Sequence, residues 1–433
     1  MYKEILKNII PSMFATLFTG FYVIVDGFFI GQKVGGIGLA AINIAWPIAA
    51  FIQALGLALG MASGIYISYY RAKNKDDKAS KVLTNTLVML LIFTLIVLSV
   101  YFYRDYLLTL IGANEETLEM ASNYIKVYIL SGIIEIIGCA IVPILRNFGH
   151  YKSAALLLLI ATAINFLGDY ILIFLFDYGL VGAALASVLG QLSVLIVGII
   201  ILIKYKHLKF AKKIDKNLIL GLFLKGIAPF ILTFSASFLI IIYNLFCLKY
   251  GGNDAVAAYT VVAYIIYVAQ YISIGISDGI QPVLTYHYSL NDGKVKSYFY
   301  KTLIILIGIL ATLNIIFIFM DNTMADLYNI YDNARNIYLS SYYYFIFTFI
   351  PLGLIRIYAA RFYSTDKTIK ADIIVLLEPL LTPFVLLIFT SFMGLNGIWL
   401  SYLLIEIILG ISSIIITKIP IKEIKISEIS VEE

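Results

Sequence analysis

Twelve apolar runs, each near the roughly 20 residues that a hydrocarbon core requires, follow one another along this 433-residue chain. No soluble layer architecture hides that many such runs, whereas helices in lipid satisfy all their backbone groups internally. The chain therefore reads as an all-α polytopic membrane protein. The spans are expected at about 9–31, 37–70, 82–103, 119–148, 152–176, 180–203, 227–248, 256–289, 298–320, 337–360, 371–391 and 397–418. Charged residues make up 13% of the sequence, about half the share in a soluble domain, which excludes a soluble enzyme. The first run lies behind Lys3, Glu4 and Lys7, too long and too early in a series of spans to be a cleaved signal, so the N-terminus is expected to stay.

The distribution of charge sets the topology. If the N-terminus is cytoplasmic, 25 of the 31 Lys and Arg fall on inner segments and five on outer ones, with Arg356 inside a span. That bias puts both termini in the cytoplasm and the protein in the cell membrane. A formal charge of +5, spread in this way, gives no nucleic-acid surface. Cys139 and Cys247 lie inside apolar runs and form neither a disulfide framework nor a metal spacing. His150, His207 and His287 are scattered in or near loops, so a His-based triad or zinc cage lacks its parts.

Six lysines between Lys204 and Lys216 mark a basic cytoplasmic linker, 204–226, between a first six-helix bundle, 1–203, and a second, 227–433, with a short cytoplasmic tail. The two bundles echo each other. VGGIGLAA from Val34 matches YGGNDAVAA from Tyr250, GLVG from Gly179 matches GLNG from Gly394, Pro11 lies near the offset of Pro229, and Arg146 near that of Arg361, all at 215 to 218 residues. An even number of helices per repeat gives both bundles the same orientation, related by a pseudo-twofold axis along the membrane normal, as in secondary transporters. No phosphate loop or nucleotide-binding domain is seen, so energy would come from an ion gradient.

Six acidic residues lie inside spans: Asp26, Glu135, Asp169, Asp278, Glu378 and Glu406. Each costs roughly 2.5 to 3.5 kcal/mol at a helix centre, so each needs a partner or a function. Asp26, Asp169 and Ser187 fall at one depth below the outer surface, and Asn165 precedes Asp169 by one helical turn on the same face. Two carboxylates, an amide and a hydroxyl make a hard-oxygen set suited to a sodium ion or a proton. Packing hydrogen bonds alone would be the plainer account. Through the repeat, Asp26 falls on Asn244, Asn165 on Leu380 and Asp169 on Phe384, so the second half lacks these acids and coupling is expected in the first. Asp278, Glu378 and Arg356 share an inner depth, where Arg356 is expected to neutralise one of the acids.

The stretch PSMFATLFTGFYVIVDGFFIGQKVGGIGLAAIN, then TAINFLGDYILIF, GAALAS, DGIQPVLTYHY and GLNGIWLS, in this order over nearly the whole chain, resembles the multidrug and toxic compound extrusion (MATE) family, closer to its DinF-like branch. The resemblance implies a twelve-helix antiporter, not an enzyme, that exports amphipathic and often cationic compounds in exchange for Na+ or H+ by alternating access. It also implies a cation-coupling, and if sodium-coupled a metal-binding, role for Asp26, Asn165 and Asp169. Ser187 stands where relatives carry threonine, and the hydroxyl is kept.

Candidates for the substrate cleft are Tyr22, Met61, Tyr128 and Gln191, with Glu135, Asp278, Glu378 and Glu406 as acids that would attract organic cations. Pro11 is a candidate hinge in the first helix, unless it only starts that helix. No organic cofactor is expected. Expected partners are small-molecule cations or drugs and the lipid bilayer, with a monomer as the unit. Two rivals stand beside this reading: a lipid-linked oligosaccharide flippase, which would want an Arg- and Lys-rich cleft, and an intramembrane enzyme using Asp26 and Asp169 as an aspartyl pair.

Overall fold

In the computed structural model, residues 1–209, 214–328 and 332–421 are described, with backbone only at 21–25, 27, 28, 36, 253 and 332. Among them the ordered elements are helices. The first bundle holds α1 (Tyr2–Lys33), α2 (Gly36–Ala72), α3 (Asp76–Val100), the short α4 (Arg104–Ile111), α5 (Glu115–Leu130), α6 (Gly132–Asn147), α7 (Tyr151–Asp169) and α8 (Gly179–Lys204). The second holds α9 (Lys216–Gly252), α10 (Asp254–Leu290), α11 (Val295–Ile318), the short α12 (Asp321–Leu327), α13 (Asp332–Ile346), α14 (Phe349–Ser364), α15 (Thr368–Met393) and α16 (Leu395–Ile415).

Nine of the described helices, some taken with a short neighbour, are long and apolar enough to cross a membrane. Two bent pairs serve as single spans: α5 with α6 at 63°, and α13 with α14 at 42°. With the 32-residue α1, twelve spans result. The fold is the expected pair of six-helix lobes. Side chains that a soluble protein would bury face lipid here, such as Phe102 at 82% and Phe392 at 83% exposure. The linker is shorter than expected, because α9 already begins at Lys216, where Asp215 accepts hydrogen bonds from the amides of Asn217 and Leu218.

The repeat is written in its turns. Gly35, between α1 and α2, has φ +82°, and Gly252, between α9 and α10, has φ +63°. Gly179 before α8 and Gly394 before α16 have φ +51° and +57°. These are the glycines of the matched motifs, each at a reversal that a Cβ would strain.

Within the first lobe, Gly56, Gly60 and Gly64 form a stripe at four-residue spacing that lets α2 lie against α6. A Cβ at Gly60 would stand 2.5 Å from the carbonyl oxygen of Ala140. Between the lobes, α1 packs on α10 and α2 on α9, and the pseudo-twofold exchanges these two seams. A Cβ at Gly275 of α10 would lie 2.4 Å from the Cα of Met13 in α1. Phe51 of α2 meets Phe230 and Phe234 of α9 edge-on, with ring centroids 5.7 Å apart. We call the face that carries both ends of the helical bundle the terminal face. The inter-lobe polar contacts gather toward it: Thr16 donates to the carbonyl of Tyr271 at 2.9 Å, Asn147 to Gln281 at 2.9 Å, and Glu4 accepts from Tyr298.

Candidate functional site

Four of the residues singled out from the sequence converge inside the first lobe. Asp26 of α1, Asn165 and Asp169 of α7 and Ser187 of α8 are all buried, at 6%, 4%, 1% and 7% exposure. Small residues bring their helices together. A Cβ at Gly168 would stand 2.8 Å from that of Ala186, and one at Gly190 would stand 2.9 Å from the carbonyl of Ala161, so α7 and α8 lie close enough for Asn165 Nδ2 to donate to Ser187 Oγ at 3.1 Å. Asp169 ends the regular helix, and residues 170–175 continue as a π-helix, a local widening frequent at functional sites. Asp26 lies close enough for its charge to act on Asp169.

Oxygen acceptors are left over. Asp26 Oδ1, both Oδ atoms of Asp169 and Asn165 Oδ1 are buried without a hydrogen-bond partner. Among the described residues no salt bridge reaches either aspartate. Nor does any cluster of three or more His, Cys, Asp or Glu side chains occur among them, so the oxygen set has no transition-metal character. What it offers is hard oxygen acceptors left without partners and without a basic side chain beside them, which suits a small monovalent cation or a proton.

Between the lobes lies a cavity of about 310 Å³, within the size range of drug pockets. Met61, Gln191 and Asp278 line it as expected from sequence, together with Trp46, Tyr267 and Tyr271. Other cleft candidates sit elsewhere. Tyr128 is fully buried inside the first lobe, near Ser187 and tilted against Tyr124 with ring centroids 5.1 Å apart, because its side of α5 faces α8 rather than the cleft. Glu135 is also buried there, beside Gln53, whose own side chain borders the cavity. Glu378 and Glu406 border a separate second-lobe pocket of about 60 Å³, with Tyr243, Tyr402 and Arg356. The Tyr22 side chain lies outside the described residues. Pro11 is interior to α1, which begins at Tyr2, so it does not start the helix.

Arg356, expected to pair with Asp278 or Glu378, forms a salt bridge with neither among the described residues. It donates to the carbonyl of Leu232 at 3.0 Å and stands in the field of Glu378, Asp278 and Glu406. Asp278 is paired instead with Arg146, at 2.9 Å. Sequence reasoning counted Arg146 among inner loop charges; its position at the end of an apolar run resembled a flanking anchor, and only the packing of α6 on α10 turns it inward.

The MatE family model matches residues 11–171 and again 229–389, two blocks 218 residues apart at both ends. This chain belongs to the MatE family. Its two matched blocks are the two lobes of the repeat. The multidrug export protein MepA of Staphylococcus aureus is 26% identical over 426 residues, 96% of this chain and 93% of that protein, and MepA of Staphylococcus saprophyticus is 25% identical with the same coverage. Among solved structures, a multidrug resistance MATE transporter in an outward-facing conformation superposes with a TM-score of 0.88 at 19% identity, covering 96% of each chain. A MATE in a bent conformation gives 0.86 at 19% identity, covering 96% of this chain and 95% of that one. The MatE fold thus extends over both lobes and the cavity between them.

Proposed function

We propose that this chain exports amphipathic organic cations across the cell membrane in exchange for sodium ions or protons, through states open alternately to either side. One observation carries the coupling: Asp26 and Asp169 are buried in the first lobe with carboxylate oxygens unpartnered and, among the described residues, no basic side chain paired to either. Intramembrane acids without a partner mark ion pathways, and two like charges this close resist being ionised together unless a cation joins them. Asn165 and Ser187 complete the oxygen set for sodium; a proton would be shared by the carboxylates. An ion that favours one state and a substrate that favours the other give exchange. An inside-negative potential adds about 2.3 kcal/mol per charge per 100 mV to ion entry.

The substrate class is supported by the cavity, where Trp46, Met61, Tyr267 and Tyr271 offer apolar and aromatic surface beside the acid Asp278, and it agrees with the export role that MepA carries in its name. The charge bias of 25 to five supports a cytoplasmic terminal face, so the lobes here meet on the cytoplasmic side. One chain supplies both walls of the cavity, and a monomer is the working unit. The flippase rival would need free basic groups in the cleft. Two arginines border the cavity, but acids balance both.

The test is ethidium efflux from proteoliposomes under imposed sodium and proton gradients, applied separately. Efflux should follow one gradient and vanish in Asp26→Asn and Asp169→Asn. Undiminished gradient-driven efflux in both variants would remove the site from the mechanism.

A further inference from the structure

Building on the export reading, we propose that Asp278 is the carboxylate on which the cationic group of a substrate docks, and that Arg146 replaces the substrate there when the lobes close on the terminal face. One carboxylate then exchanges an external cation for an internal one in every cycle.

The geometry behind this is a cross-lobe pair. Arg146 belongs to α6 and Asp278 to α10, and their side chains, 5% and 16% exposed, both border the inter-lobe cavity. Arg146 is presented by a helix end that its own lobe holds fast. Ser68 of α2 donates to the amide oxygen of the adjacent Asn147 at 2.6 Å, and Arg71 donates to the Asn147 carbonyl at 2.9 Å. Arg146 therefore travels with the first lobe and Asp278 with the second. When the lobes rock apart on this face, Asp278 loses the guanidinium it is directly paired with and keeps only the more distant field of Arg356, at the edge of an apolar cavity where a charge without a direct partner is unfavourable. An organic cation entering from that face restores the balance, its apolar body resting against Met61, Tyr267 and Tyr271. Closure returns Arg146, whose tethered guanidinium outcompetes a freely diffusing ligand, and the substrate is released toward the other face.

Other acids of the second lobe do not have this property. Glu378 and Glu406 border a pocket with Arg356, a cation of their own lobe that stays with them whatever the lobes do; Arg356 acts on Asp278 too, but the salt bridge that Asp278 makes is across the lobes, with Arg146. The repeat offers no second exchange either. Arg146 falls on Arg361, whose guanidinium lies over the Phe299 ring at 4.4 Å, and Asp278 falls on Gly60 or Met61, which carry no charge. The device exists on one side of the pseudo-twofold.

The experiment measures binding of ethidium, permanently cationic, and of Nile red, an uncharged amphipath, to the purified full-length protein, alongside ethidium efflux. Asp278→Asn should weaken ethidium binding about tenfold while leaving Nile red within about twofold. Arg146→Gln should tighten ethidium binding several-fold, by removing the internal competitor, and slow efflux. Equal changes for both probes, or an Arg146→Gln variant that weakens ethidium binding, would overturn the assignment. Should the neutralised variants fail to fold, Asp278→Glu keeps the charge and moves it by one methylene: ethidium affinity should change and Nile red affinity should not, and no change in either would also overturn it. Absence of ethidium efflux by the unmodified protein under every gradient defeats the export reading itself; efflux with variants blind to probe charge defeats only this exchange.

Discussion

Asp26 and Asp169 of the first lobe and Glu378 and Glu406 of the second are both close pairs of acids, but among the described residues it is the second pair that has a basic side chain of its own lobe beside it. In the second lobe, Glu378 and Glu406 share a small pocket with Arg356 and tyrosines. In the first, Asp26 and Asp169 lie near Asn165, Ser187 and Tyr128, none of which carries positive charge. The two clusters are not repeat mates, since Asp26 falls on Asn244 and Asp169 on an apolar residue. Two copies of one bundle have thus reached opposite electrostatic solutions. The second lobe sets its acids beside Arg356, whereas the described residues of the first place no basic side chain against Asp26 or Asp169, which is what the proposed ion coupling requires.

The largest expected effect tests that asymmetry directly. Asp26→Asn or Asp169→Asn should each lower gradient-driven ethidium efflux by about 100-fold, while Glu378→Gln and Glu406→Gln should lower it by less than about threefold. Equal losses from the two lobes would erase the distinction.

Stability should respond in the reverse order. Arg356→Met leaves two buried acids without their cation and should cost about 3 to 5 kcal/mol, read as a large fall in the melting temperature in detergent. Adding Glu378→Gln and Glu406→Gln should recover most of it. Asp169→Asn, by contrast, removes a charge that nothing balances and should raise the melting temperature, by about 1 kcal/mol in stability. A destabilised Asp169→Asn would mean that its carboxylate is already satisfied within the fold.

These contrasts also mark how far the sequence could be read. The spans were legible because lipid imposes one length and one polarity on each. The repeat was legible because Gly35, Gly179, Gly252 and Gly394 occupy turns that need positive φ, which pins glycine to fixed offsets. Asp26, Asn165, Asp169 and Ser187 could be grouped because depth follows from position along a helix and one-turn spacing fixes a common face. Azimuth was not legible: Tyr128 and Glu135 have suitable depth but point into the first lobe, and Glu378 and Glu406 point into a small second-lobe pocket that adjoins the cavity. Nor were the bends in the fourth span of each lobe, the π-helix after Asp169, or the short α4 and α12, since all depend on how neighbours pack. Arg146 was hidden for the same reason.

Glycines sharpen the comparison of seams within and between lobes. Gly60→Ala drives a Cβ into the α6 backbone inside one rigid lobe and should cost about 1 to 3 kcal/mol. Gly275→Ala makes an equally close approach to the α1 backbone, but across the inter-lobe seam, where rocking relieves it. That variant should keep its melting temperature and instead shift the population toward lobes parted on the terminal face. Cys139, which lines the cavity, reports this shift: its labelling by an impermeant maleimide should rise from the terminal face and fall from the other, with buried Cys247 as the unlabelled control. Unchanged labelling combined with a lowered melting temperature would place Gly275 in the same class as Gly60.

The smallest effect concerns the turn after the fourth span of each lobe. In the second lobe, Asp366 of this turn is held by Lys225 at 2.6 Å. In the first, His150 meets His207 of the linker, Nε2 to Nε2, at 3.0 Å, and His207 stacks on Phe148 with centroids 4.0 Å apart. Burial, the neighbouring His150 and Arg71 push His207 down to about 4, and burial with Arg71 also lowers His150. Histidine in the unfolded chain titrates near 6.5, so as pH falls below that value the unfolded state gains protons that the folded pair refuses. Stability from this pair is therefore flat above about pH 6.5 and declines toward about pH 4; allowing for the partial exposure of both rings, the loss is about 1 kcal/mol in all. The unmodified protein should lose melting temperature between pH 7.5 and 5, and His207→Phe, which keeps the stack on Phe148 but cannot take up a proton, should lose less. Identical pH slopes in the two proteins would show that the imidazole pair has no part in it, leaving the two turns alike in their response to acid.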